Sequence, residues 1–413
     1  MATLPTLRTV PAALKLRSNR SKQTSLTLFP TTACHGGSES ACAAPTPTPE
    51  PDRSPKPAAK LVGIARLAAS SPRAEAKRGT EYFVLPVRSI VNHCDSERVP
   101  FNWTINPYRG CEFGCRYCYA RYTHEYMELD VADFERKIYV KNNAGEIVAR
   151  DLLSPRLAGE HIAIGTATDP YQPAEREFGT TRAILEKMAD RDGLSLSITT
   201  KSNQVLRDLD LLRKISDRSS LTINLSITTL RPRLARMLEP RAPRPDLRLE
   251  AVKKLREAGI AAGVFAMPVL PGITDREADL EAIAAGARDA GALWFAANVL
   301  FLMPSSQKQF LPFIAEKFPR LLAKYEEWYV RSGGSPQAYR DEITQRIRAL
   351  RQKYGLGSMP VIPSRQAKSS PQMCLDLSPG PCRAISANGS FVSDSAKTAG
   401  FTIQEAAPCV SSR

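Results

Sequence analysis

The fold is decided by one short stretch, residues 106–121, which reads NPYRGCEFGCRYCYAR. It contains Cys111, Cys115 and Cys118, three of the nine cysteines, in the spacing Cys-x3-Cys-x2-Cys. The stretch follows a segment that we predict as a first β-strand, WTINPY, and it opens a predicted helix. A secreted disulfide framework spreads its cysteine pairs over a small domain. One tight group in a long chain instead indicates metal ligation in a reducing compartment.

Three thiolates on one loop can bind three irons of a cubane iron–sulfur cluster. The fourth iron then has no protein ligand and is free to bind another molecule. The alternative is a structural zinc site in which His124 or His93 supplies the fourth ligand. Structural zinc sites usually combine two Cys/His pairs separated by a spacer, and no second pair is present. We therefore favour a [4Fe–4S] cluster on Cys111, Cys115 and Cys118.

Outward from this loop the chain alternates apolar runs with amphipathic segments, such as the face formed by Val205, Leu209, Leu212 and Ile215. Five runs rich in β-branched residues are predicted as buried parallel strands. They read HIAIGTAT, LSLSITT, LTINLSITT, IAAGVFAMPV and ALWFAANVLFL. With WTINPY they form six βα units. The predicted fold is an α/β sheet, closed or partly closed into a TIM-like (βα)6 barrel.

Glycine marks the end of two of the predicted helices. Arg256-Glu-Ala-Gly259 and Arg288-Asp-Ala-Gly291 are each followed at once by a predicted strand. A left-handed residue, usually glycine, commonly closes a helix in this way. We expect Gly259 and Gly291 in that position.

Four regions are predicted along the chain. Residues 1–80 form a basic, Pro- and Ser-rich tail that we expect to be disordered, because it lacks the apolar residues needed to offset ordering entropy. Residues 81–305 form the core domain, and 306–360 a C-terminal helical extension with a break at Gly333-Gly334. Residues 361–413 are again Ser- and Pro-rich and are expected to be disordered.

The formal charge of +15 hints at a nucleic-acid partner without establishing one, since about half of it comes from the first 80 residues. No apolar run approaches the roughly 20 residues needed to cross a bilayer, so we expect no membrane association. The first 38 residues contain no Asp or Glu and resemble an organelle transit peptide. A disordered extension, or a start codon assigned too early, is the alternative we favour. We expect a cytoplasmic monomer.

Several motifs together resemble the spore-photoproduct-lyase-like branch of the radical S-adenosylmethionine (SAM) superfamily, whose members are often labelled DNA repair photolyases. They are the cysteine stretch with GTATDPYQPAERE, TTKSNQVLRDLDLL, SITTLRPRLARMLEPRAP and MPVLPG. The resemblance covers about residues 80–350. It implies a [4Fe–4S] cluster with SAM on its open iron. An electron from a reductase or a flavodoxin- or ferredoxin-type donor then cleaves SAM to a 5′-deoxyadenosyl radical.

Site residues follow from the same resemblance. Tyr117, directly before the third cysteine, is implied to pack near adenine. Lys201 is implied to pair with the SAM carboxylate, and Ser226 to contact SAM near its methionine or ribose part. Thr166, Thr168 and their neighbours are implied to hold its amino group. Alternatively, Lys201 is a surface lysine, and the Ser226 hydroxyl is satisfied within the sheet.

The run Thr-Asp-Pro-Tyr-Gln after the second strand is poorly suited to packing in a core but well placed to face a substrate. We therefore predict catalytic roles for Asp169 and Tyr171. The alternative is that Asp169 only stabilises a turn, because Asp before proline favours turns. The sequence departs from the lyase at Ala167, which aligns with a hydrogen-donating cysteine. Tyr171 is then a candidate hydrogen donor. Cys94 could replace it only if the preceding segment folds over the barrel mouth.

The substrate is left open by the sequence. Basic residues crowd the segment 231–256, including Arg231, Arg233, Arg236, Arg241, Arg244 and Arg248. They could bind DNA phosphates, but few aromatics accompany them, so a solvated helical face is the default expectation. A nucleic-acid lesion is one candidate substrate, and a protein or small metabolite is the alternative. A non-catalytic zinc or iron–sulfur module is the remaining hypothesis.

Overall fold

The computed structural model describes residues 61–77, 79–96 and 99–360. The rest of both predicted tails lies outside the described residues, as do Cys34, Cys42, Cys374, Cys382 and Cys409. The strands are β1 (Arg73–Lys77), β2 (Thr80–Leu85), β3 (Val91–His93), β4 (Trp103–Ile105), β5 (Tyr108–Arg109), β6 (Lys137–Lys141), β7 (His161–Ile164), β8 (Ser195–Thr200), β9 (Ser220–Ser226), β10 (Ala261–Val269) and β11 (Phe295–Val299).

Helices alternate with most of these strands. They are α1 (Gly63–Ser70), α2 (Tyr122–Glu125), α3 (Ala144–Asp151), α4 (Glu175–Phe178), α5 (Thr180–Ala189), α6 (Leu209–Arg218), α7 (Pro232–Leu238), α8 (Pro245–Glu257), α9 (Glu277–Asp289), α10 (Pro304–Lys317), α11 (Leu322–Tyr329) and α12 (Gln337–Tyr354).

The larger sheet has the order β11-β10-β9-β8-β7-β4-β3. Six strands of this sheet run parallel to one another: β4, β7, β8, β9, β10 and β11. The edge strand β3 runs antiparallel to β4. The six parallel strands correspond to the six predicted segments. The prediction of an α/β fold with a partial (βα)6 TIM-like barrel is therefore confirmed.

Strand β7 ends earlier than the apolar pattern predicted. Gly165 has φ +86°, and a Cβ at this position would lie 2.5 Å from the Thr199 carbonyl oxygen. Only glycine accommodates both the left-handed backbone and the close approach of β8. The chain therefore leaves the sheet at Gly165, and residues 166–172 become a loop at the carboxyl end of the barrel.

Two helix ends confirm the predicted role of glycine. Gly259 and Gly291 have φ +80° and +71°. The next amides, of Ile260 and Ala292, donate to the carbonyls of Leu255 and Ala287 at 2.9 Å in both cases. This six-to-one pattern closes each helix and sends the chain directly into the following strand segment.

The prediction that all of residues 1–80 are disordered is wrong for the part of this segment that the structure describes. Residues 63–70 form α1 and residues 73–77 form β1, inside the stretch expected to lack structure. The order arises because Ala65 and Ala68 bury one face of α1. Strand β1 then joins a second sheet of order β1-β2-β6-β5, which the sequence did not indicate.

The C-terminal region contains three helices, α10, α11 and α12, with Gly333-Gly334 between the last two. Phe310 and Phe313 from α10 and Tyr325 and Tyr329 from α11 share an apolar cluster with the cysteine loop. Helices α10 and α11 therefore pack against the cysteine loop. Across the described ranges, no helix combines the length and apolar character needed to span a bilayer.

Candidate radical SAM site

The cysteine loop leaves β5 at Gly110, whose backbone has φ +83°. A Cβ at Gly110 would lie 2.8 Å from the carbonyl oxygens of both Phe134 and Lys137, so the approach requires glycine. The Cys111 amide donates to the Phe134 carbonyl at 3.0 Å. The loop is thus pinned to the segment before β6 immediately ahead of its first cysteine.

Gln172 holds the loop from the other side. Its side chain is completely buried and donates to the Gly110 carbonyl at 3.2 Å, while its Oε1 accepts from the Glu112 amide at 3.0 Å. The Thr168 hydroxyl also donates to the Gly110 carbonyl, at 2.6 Å. Thr168, predicted to bind SAM, therefore contacts the cysteine loop.

The three cysteines are free thiols; Cys111 and Cys115 are buried and Cys118 is half-buried. Burial raises the pKa of all three. The positive charge of Lys201 opposes this rise in pKa for Cys115 and Cys118. An iron–sulfur cluster would hold such thiols as thiolates, because a metal deprotonates its thiol ligands outright. The donor set fits a cluster.

The zinc alternative finds no support in the described part of the chain, where no group of three or more His, Cys, Asp or Glu side chains could hold a single metal ion. His124 Nε2 contacts the Lys137 carbonyl at 3.0 Å, and His93 contacts Asp95 at 2.6 Å. In a cubane cluster each thiolate binds a different iron, so the three sulfurs need not converge on one ion.

Asp169 joins the loop after β7 to the end of β8. Its Oδ1 accepts from the Thr200 hydroxyl at 2.6 Å and from the Tyr171 amide at 2.9 Å. Its Oδ2 accepts from the Lys201 amide at 2.7 Å. Burial raises the pKa of Asp169 while these bonds lower it. Asp169 therefore stabilises a turn through its bond to the Tyr171 amide, and it also holds the backbone of Lys201.

Lys201 points to a buried carboxylate that sequence reasoning missed. Its Nζ lies 3.9 Å from Glu239 Oε1 and 5.9 Å from the centre of the Tyr117 ring. The Tyr117 hydroxyl donates to Glu239 and contacts the Thr228 hydroxyl at 2.9 Å. Lys201 is thus not a surface lysine. It lies with Tyr117 beside the cysteine loop.

Burial alone would raise the pKa of Glu239. The positive charges of Arg248 and Lys201 and the hydrogen bond from Tyr117 outweigh it and lower the pKa to about 2. Arg248 also donates to the Ser226 carbonyl at 2.9 Å. This links the end of β9 to the same group, and the buried Ser226 lies next to it.

Asn106 organises the two loop residues after β7 that precede Thr168. Its Nδ2 donates to the Thr166 hydroxyl at 3.0 Å, and its Oδ1 accepts from the Ala167 amide at 2.7 Å. Ala167 and Cys118 both pack against the apolar cluster around the cysteine loop. Position 167 therefore lies in the neighbourhood of the proposed cluster.

Tyr171 lies in a different environment from the other predicted residues. It is completely buried in the barrel core, and its hydroxyl lies close to the Asp208 carboxylate. Burial raises its pKa, and the nearby charges of Asp208 and Glu175 raise it further. Its hydroxyl does not face solvent in this arrangement, so its role as hydrogen donor stays a prediction.

Three tyrosines follow the cysteines along the barrel rim. Tyr119 and Tyr122 stack with ring centres 6.4 Å apart, and Tyr122 meets Tyr126 edge-on at 5.4 Å. Tyr119 is 44% exposed and Tyr126 64%. Burial and the charge of Tyr126 raise the pKa of Tyr122, and Cys94 is close enough to raise it further. Cys94 thus lies near this tyrosine group.

The arginine-rich segment does not form one solvated face. Arg248 is buried, which corrects its assignment to an exposed helical surface. It can be buried because Glu239 neutralises its charge and two carbonyls accept its remaining N–H groups. Arg231 pairs with Asp279 at 3.1 Å and Arg244 with Asp246 at 2.5 Å. Arg233 and Arg236 are exposed on α7.

Comparison with known proteins decides the family. A family model described as the radical SAM superfamily matches residues 105–283. An uncharacterized protein of Mycobacterium tuberculosis is 32% identical over 319 residues, covering 76% of this chain and 92% of that protein. The chain belongs to the radical SAM superfamily. An uncharacterized protein of Methanocaldococcus jannaschii is 33% identical over 175 residues, 42% of this chain and 63% of that protein.

Solved structures show the same fold in spore photoproduct lyase. A variant with bound AdoMet and dinucleoside spore photoproduct superposes with TM-score 0.52 over 73% of this chain and 87% of that chain, at 16% identity. Another lyase variant gives TM-score 0.51 over 67% and 80% of the two chains, at 17% identity. Radical SAM superfamily membership makes the protein an enzyme and implies a [4Fe–4S] cluster and SAM as its cofactors.

Two site residues were missed although both lie in motifs that carried the resemblance. Gln172 ends the run Thr-Asp-Pro-Tyr-Gln, and Glu239 lies in MLEPRAP. A glutamate within an apolar stretch, followed by proline, was the available signal. Its partner could not be identified from local spacing.

Proposed function

We propose that this radical SAM enzyme reductively cleaves SAM and abstracts hydrogen from a lesion in nucleic acid. The observation that carries the proposal is the position of the Lys201 ammonium, 5.9 Å from the centre of the ring of Tyr117, the residue between Cys115 and Cys118. When bound, the cluster and SAM would supply a 5′-deoxyadenosyl radical after one electron arrives from an external reductase or a flavodoxin- or ferredoxin-type donor.

The chain supplies binding and orientation. Cys111, Cys115 and Cys118 would ligate three irons, and Gln172 would keep their loop in one conformation. The Lys201 ammonium would pair with the SAM carboxylate, because Asp169 fixes the backbone of Lys201 at the barrel mouth. Glu239 Oε1 lies 3.9 Å from the Lys201 Nζ and helps to position it.

Two polar positions would complete the SAM site. The Thr166 hydroxyl, held by Asn106, lies at the carboxyl end of β7, and Ser226 ends β9. The carboxyl ends of barrel strands are where this fold gathers its site. Tyr117 would present its ring toward the adenine region, since its hydroxyl is occupied by Glu239 and Thr228.

The exposed tyrosines support the choice of nucleic acid. Base–aromatic stacking contributes about 1–3 kcal/mol per base, and enzymes that act on a base must take it out of the helix stack. Tyr119 and Tyr126 offer such rings directly after the third cysteine. Arg233 and Arg236 add exposed positive charge for phosphates.

Product formation would differ from the lyase at one step. Ala167 has no transferable hydrogen, so hydrogen return to a product radical would need another donor. Cys94, near the exposed tyrosines, and Tyr171 in the core are the two candidates.

Anaerobic reconstitution with iron, sulfide, dithionite and SAM tests the first part. We expect 5′-deoxyadenosine or methionine to form, and Cys115→Ala to abolish both. Retention of SAM cleavage by Cys115→Ala would exclude the proposal. For the substrate, we expect salt-sensitive binding to duplex DNA that weakens when Tyr119 and Tyr126 are both replaced by alanine. Absence of DNA binding at low salt would point to a protein or small-metabolite substrate.

A further inference from the structure

The two faces of the smaller sheet carry different residues. Tyr108 of β5 and its partner Val140 of β6 lie on one face, in an apolar cluster. Because side chains alternate along a strand, Arg109 and Lys141 lie on the other face. Arg109 is directly opposite Tyr139, and Lys141 follows Tyr139 by two residues on the same strand. Arg109 and Lys141, the cation pair, are therefore diagonal neighbours, with Cα atoms about 7–8 Å apart.

The cation pair has no counter-ion among the described residues. Lys141 is only 5% exposed, and its ammonium makes no ion pair or hydrogen bond with another described residue. The same holds for the half-buried guanidinium of Arg109. Burial and, after it, the like charge of Arg109 lower the pKa of Lys141 to about 7. A buried cation is costly unless it is paired, so an anion bound here would stabilise both groups.

The other charged side chains that β2 and β6 place on this face already have partners. Glu81 of β2 is aligned with Lys137 of β6 in the sheet. Lys137 binds Asp133 at 2.8 Å, and Glu81 binds Arg73 at 3.1 Å. Both carboxylates are thus engaged, and neither neutralises the cation pair.

Helix α2 packs on the same face. The ring centre of His124 lies 6.1 Å from that of Tyr139, the residue opposite Arg109. Tyr122 begins this helix and Tyr126 follows its last residue. Burial raises the pKa of Tyr122, and the positive charge of Arg109 opposes that rise. The helix that carries these tyrosines therefore lies beside the cation pair.

This combination suits single-stranded nucleic acid, in which charged phosphates alternate with bases. A guanidinium binds phosphate oxygens through two parallel N–H bonds, and an ammonium adds a second charge. Aromatic rings beside such cations stack the bases, and Tyr119 and Tyr126 offer exposed rings. The cysteine loop begins directly after Arg109, so a phosphate held here would fix the strand beside that loop.

We propose that Arg109 and Lys141 bind one backbone phosphate of the nucleic-acid substrate, with a neighbouring base stacked on the exposed tyrosines. The phosphate supplies the counter-ion that both cations lack. This site rests on the proposed function, because it assumes a nucleic-acid substrate. Free phosphate offers the same oxygen atoms to the cation pair, so it is tested as a separate probe.

The test measures binding to the reconstituted holoprotein by fluorescence anisotropy and calorimetry. The probes are a short single-stranded DNA, its methylphosphonate form, which has the same bases but a neutral backbone, and inorganic phosphate. Lys141→Met should weaken binding of the DNA at least tenfold and leave binding of the methylphosphonate form unchanged. Lys253→Met, at an exposed position of α8, should bind both as wild type does.

Thermal unfolding of the ligand-free protein gives a second readout. Lys141→Met should raise the melting temperature, because it removes an unpaired buried charge. A lysine that serves only the fold would show the reverse. A lower melting temperature together with unchanged DNA affinity would therefore overturn the proposal. If Lys141→Met does not fold, Arg109→Gln decides by the same DNA measurement, with iron content as the check on the adjacent cysteine loop.

The outcomes distinguish this site from the proposed function. Equal DNA affinity in wild type and Lys141→Met overturns the phosphate site and leaves nucleic-acid binding intact. Absence of DNA binding, with inorganic phosphate bound by wild type and not by Lys141→Met, makes the cation pair a site for a small anion and overturns the nucleic-acid substrate. Absence of binding by both DNA and inorganic phosphate overturns both proposals.

Discussion

The Arg248 guanidinium lies 2.5 Å from the Glu239 carboxylate, and both side chains are only 1% exposed. The pair connects α8 to the turn after α7, and Glu239 contacts Tyr117 in the cysteine loop. Removal of one member of a buried ion pair leaves the other charge uncompensated, which typically costs about 3–5 kcal/mol. The cysteine loop is therefore coupled to the stability of the barrel.

Glu239→Gln should lower the free energy of unfolding by about 3–5 kcal/mol, because Arg248 keeps its charge in a buried site. Denaturant unfolding at pH 7 measures it, and Glu257→Gln, at an exposed position at the end of α8, is the control. Equal stability of the two variants would contradict a structural role for the pair.

The same carboxylate predicts acid sensitivity. The pKa of Glu239 is about 2 in the folded chain against an ordinary 4.5, so its contribution, about 3 kcal/mol, is present above pH 4.5 and is lost as the pH falls towards 2. The stability difference between wild type and Glu239→Gln should therefore shrink between pH 5 and about pH 2. Unfolding of the cluster-free chain across this range measures it; a constant difference would show that Glu239 does not titrate as proposed.

Gln172→Ala should loosen the cysteine loop. The change leaves the buried Glu112 amide without its Gln172 acceptor, a loss of about 1–3 kcal/mol. We expect less iron bound after reconstitution and faster loss of iron to a chelator, with the fold retained by circular dichroism. Gln337→Ala, at an exposed position of α12, should match wild type. Identical chelation rates for all three proteins would contradict the role of Gln172.

Substitution of single cysteines should separate ligands from other thiols. Wild type is expected to bind about four iron and four sulfide, as a cubane cluster requires, and Cys111→Ala, Cys115→Ala or Cys118→Ala to lose most of both. Cys94→Ala should retain them. Iron and acid-labile sulfide analysis gives the result, and a single zinc in wild type would contradict the cluster.

Lys201→Ala should lower the affinity for SAM at least tenfold, about 1.4 kcal/mol, because the SAM carboxylate loses its cation. Lys201→Arg keeps the charge and should lose less. Equilibrium binding of SAM to the reconstituted protein measures both, with Lys253→Ala as control. Unchanged SAM affinity in Lys201→Ala, at unchanged cluster content, would contradict the assignment.

The exposed and buried arginines should behave differently toward DNA. Arg233→Ala should reduce the slope of log affinity against log salt by about 0.9 if this side chain contacts one phosphate. Arg248→Ala should destabilise the fold, since it leaves Glu239 buried alone. Binding to duplex DNA across a salt series, beside denaturant unfolding, distinguishes the two; the same salt slope in Arg233→Ala and wild type would remove Arg233 from the interface.

Local patterns were sufficient to predict the barrel, and they also predict the three cysteines as cluster ligands. Buried parallel strands appear as apolar runs, and glycine at Gly259 and Gly291 marks the helix ends. They failed at residues 61–77, where short apolar segments acquire structure only by packing on β2 and its neighbours. They also failed at Arg248, which looked like one arginine among six exposed ones.

Spacing within a few residues of the chain was enough to predict the order of the βα units and to propose the three cysteines as ligands. Tertiary structure decided which distant side chains complete the site. Gln172 reaches the cysteine loop from the loop after β7, and Glu239 reaches Tyr117 and Lys201 from the end of α7. A buried charge or amide requires a partner, but periodicity does not name it. Only the packing of the elements brings Glu239 between Arg248 and Lys201.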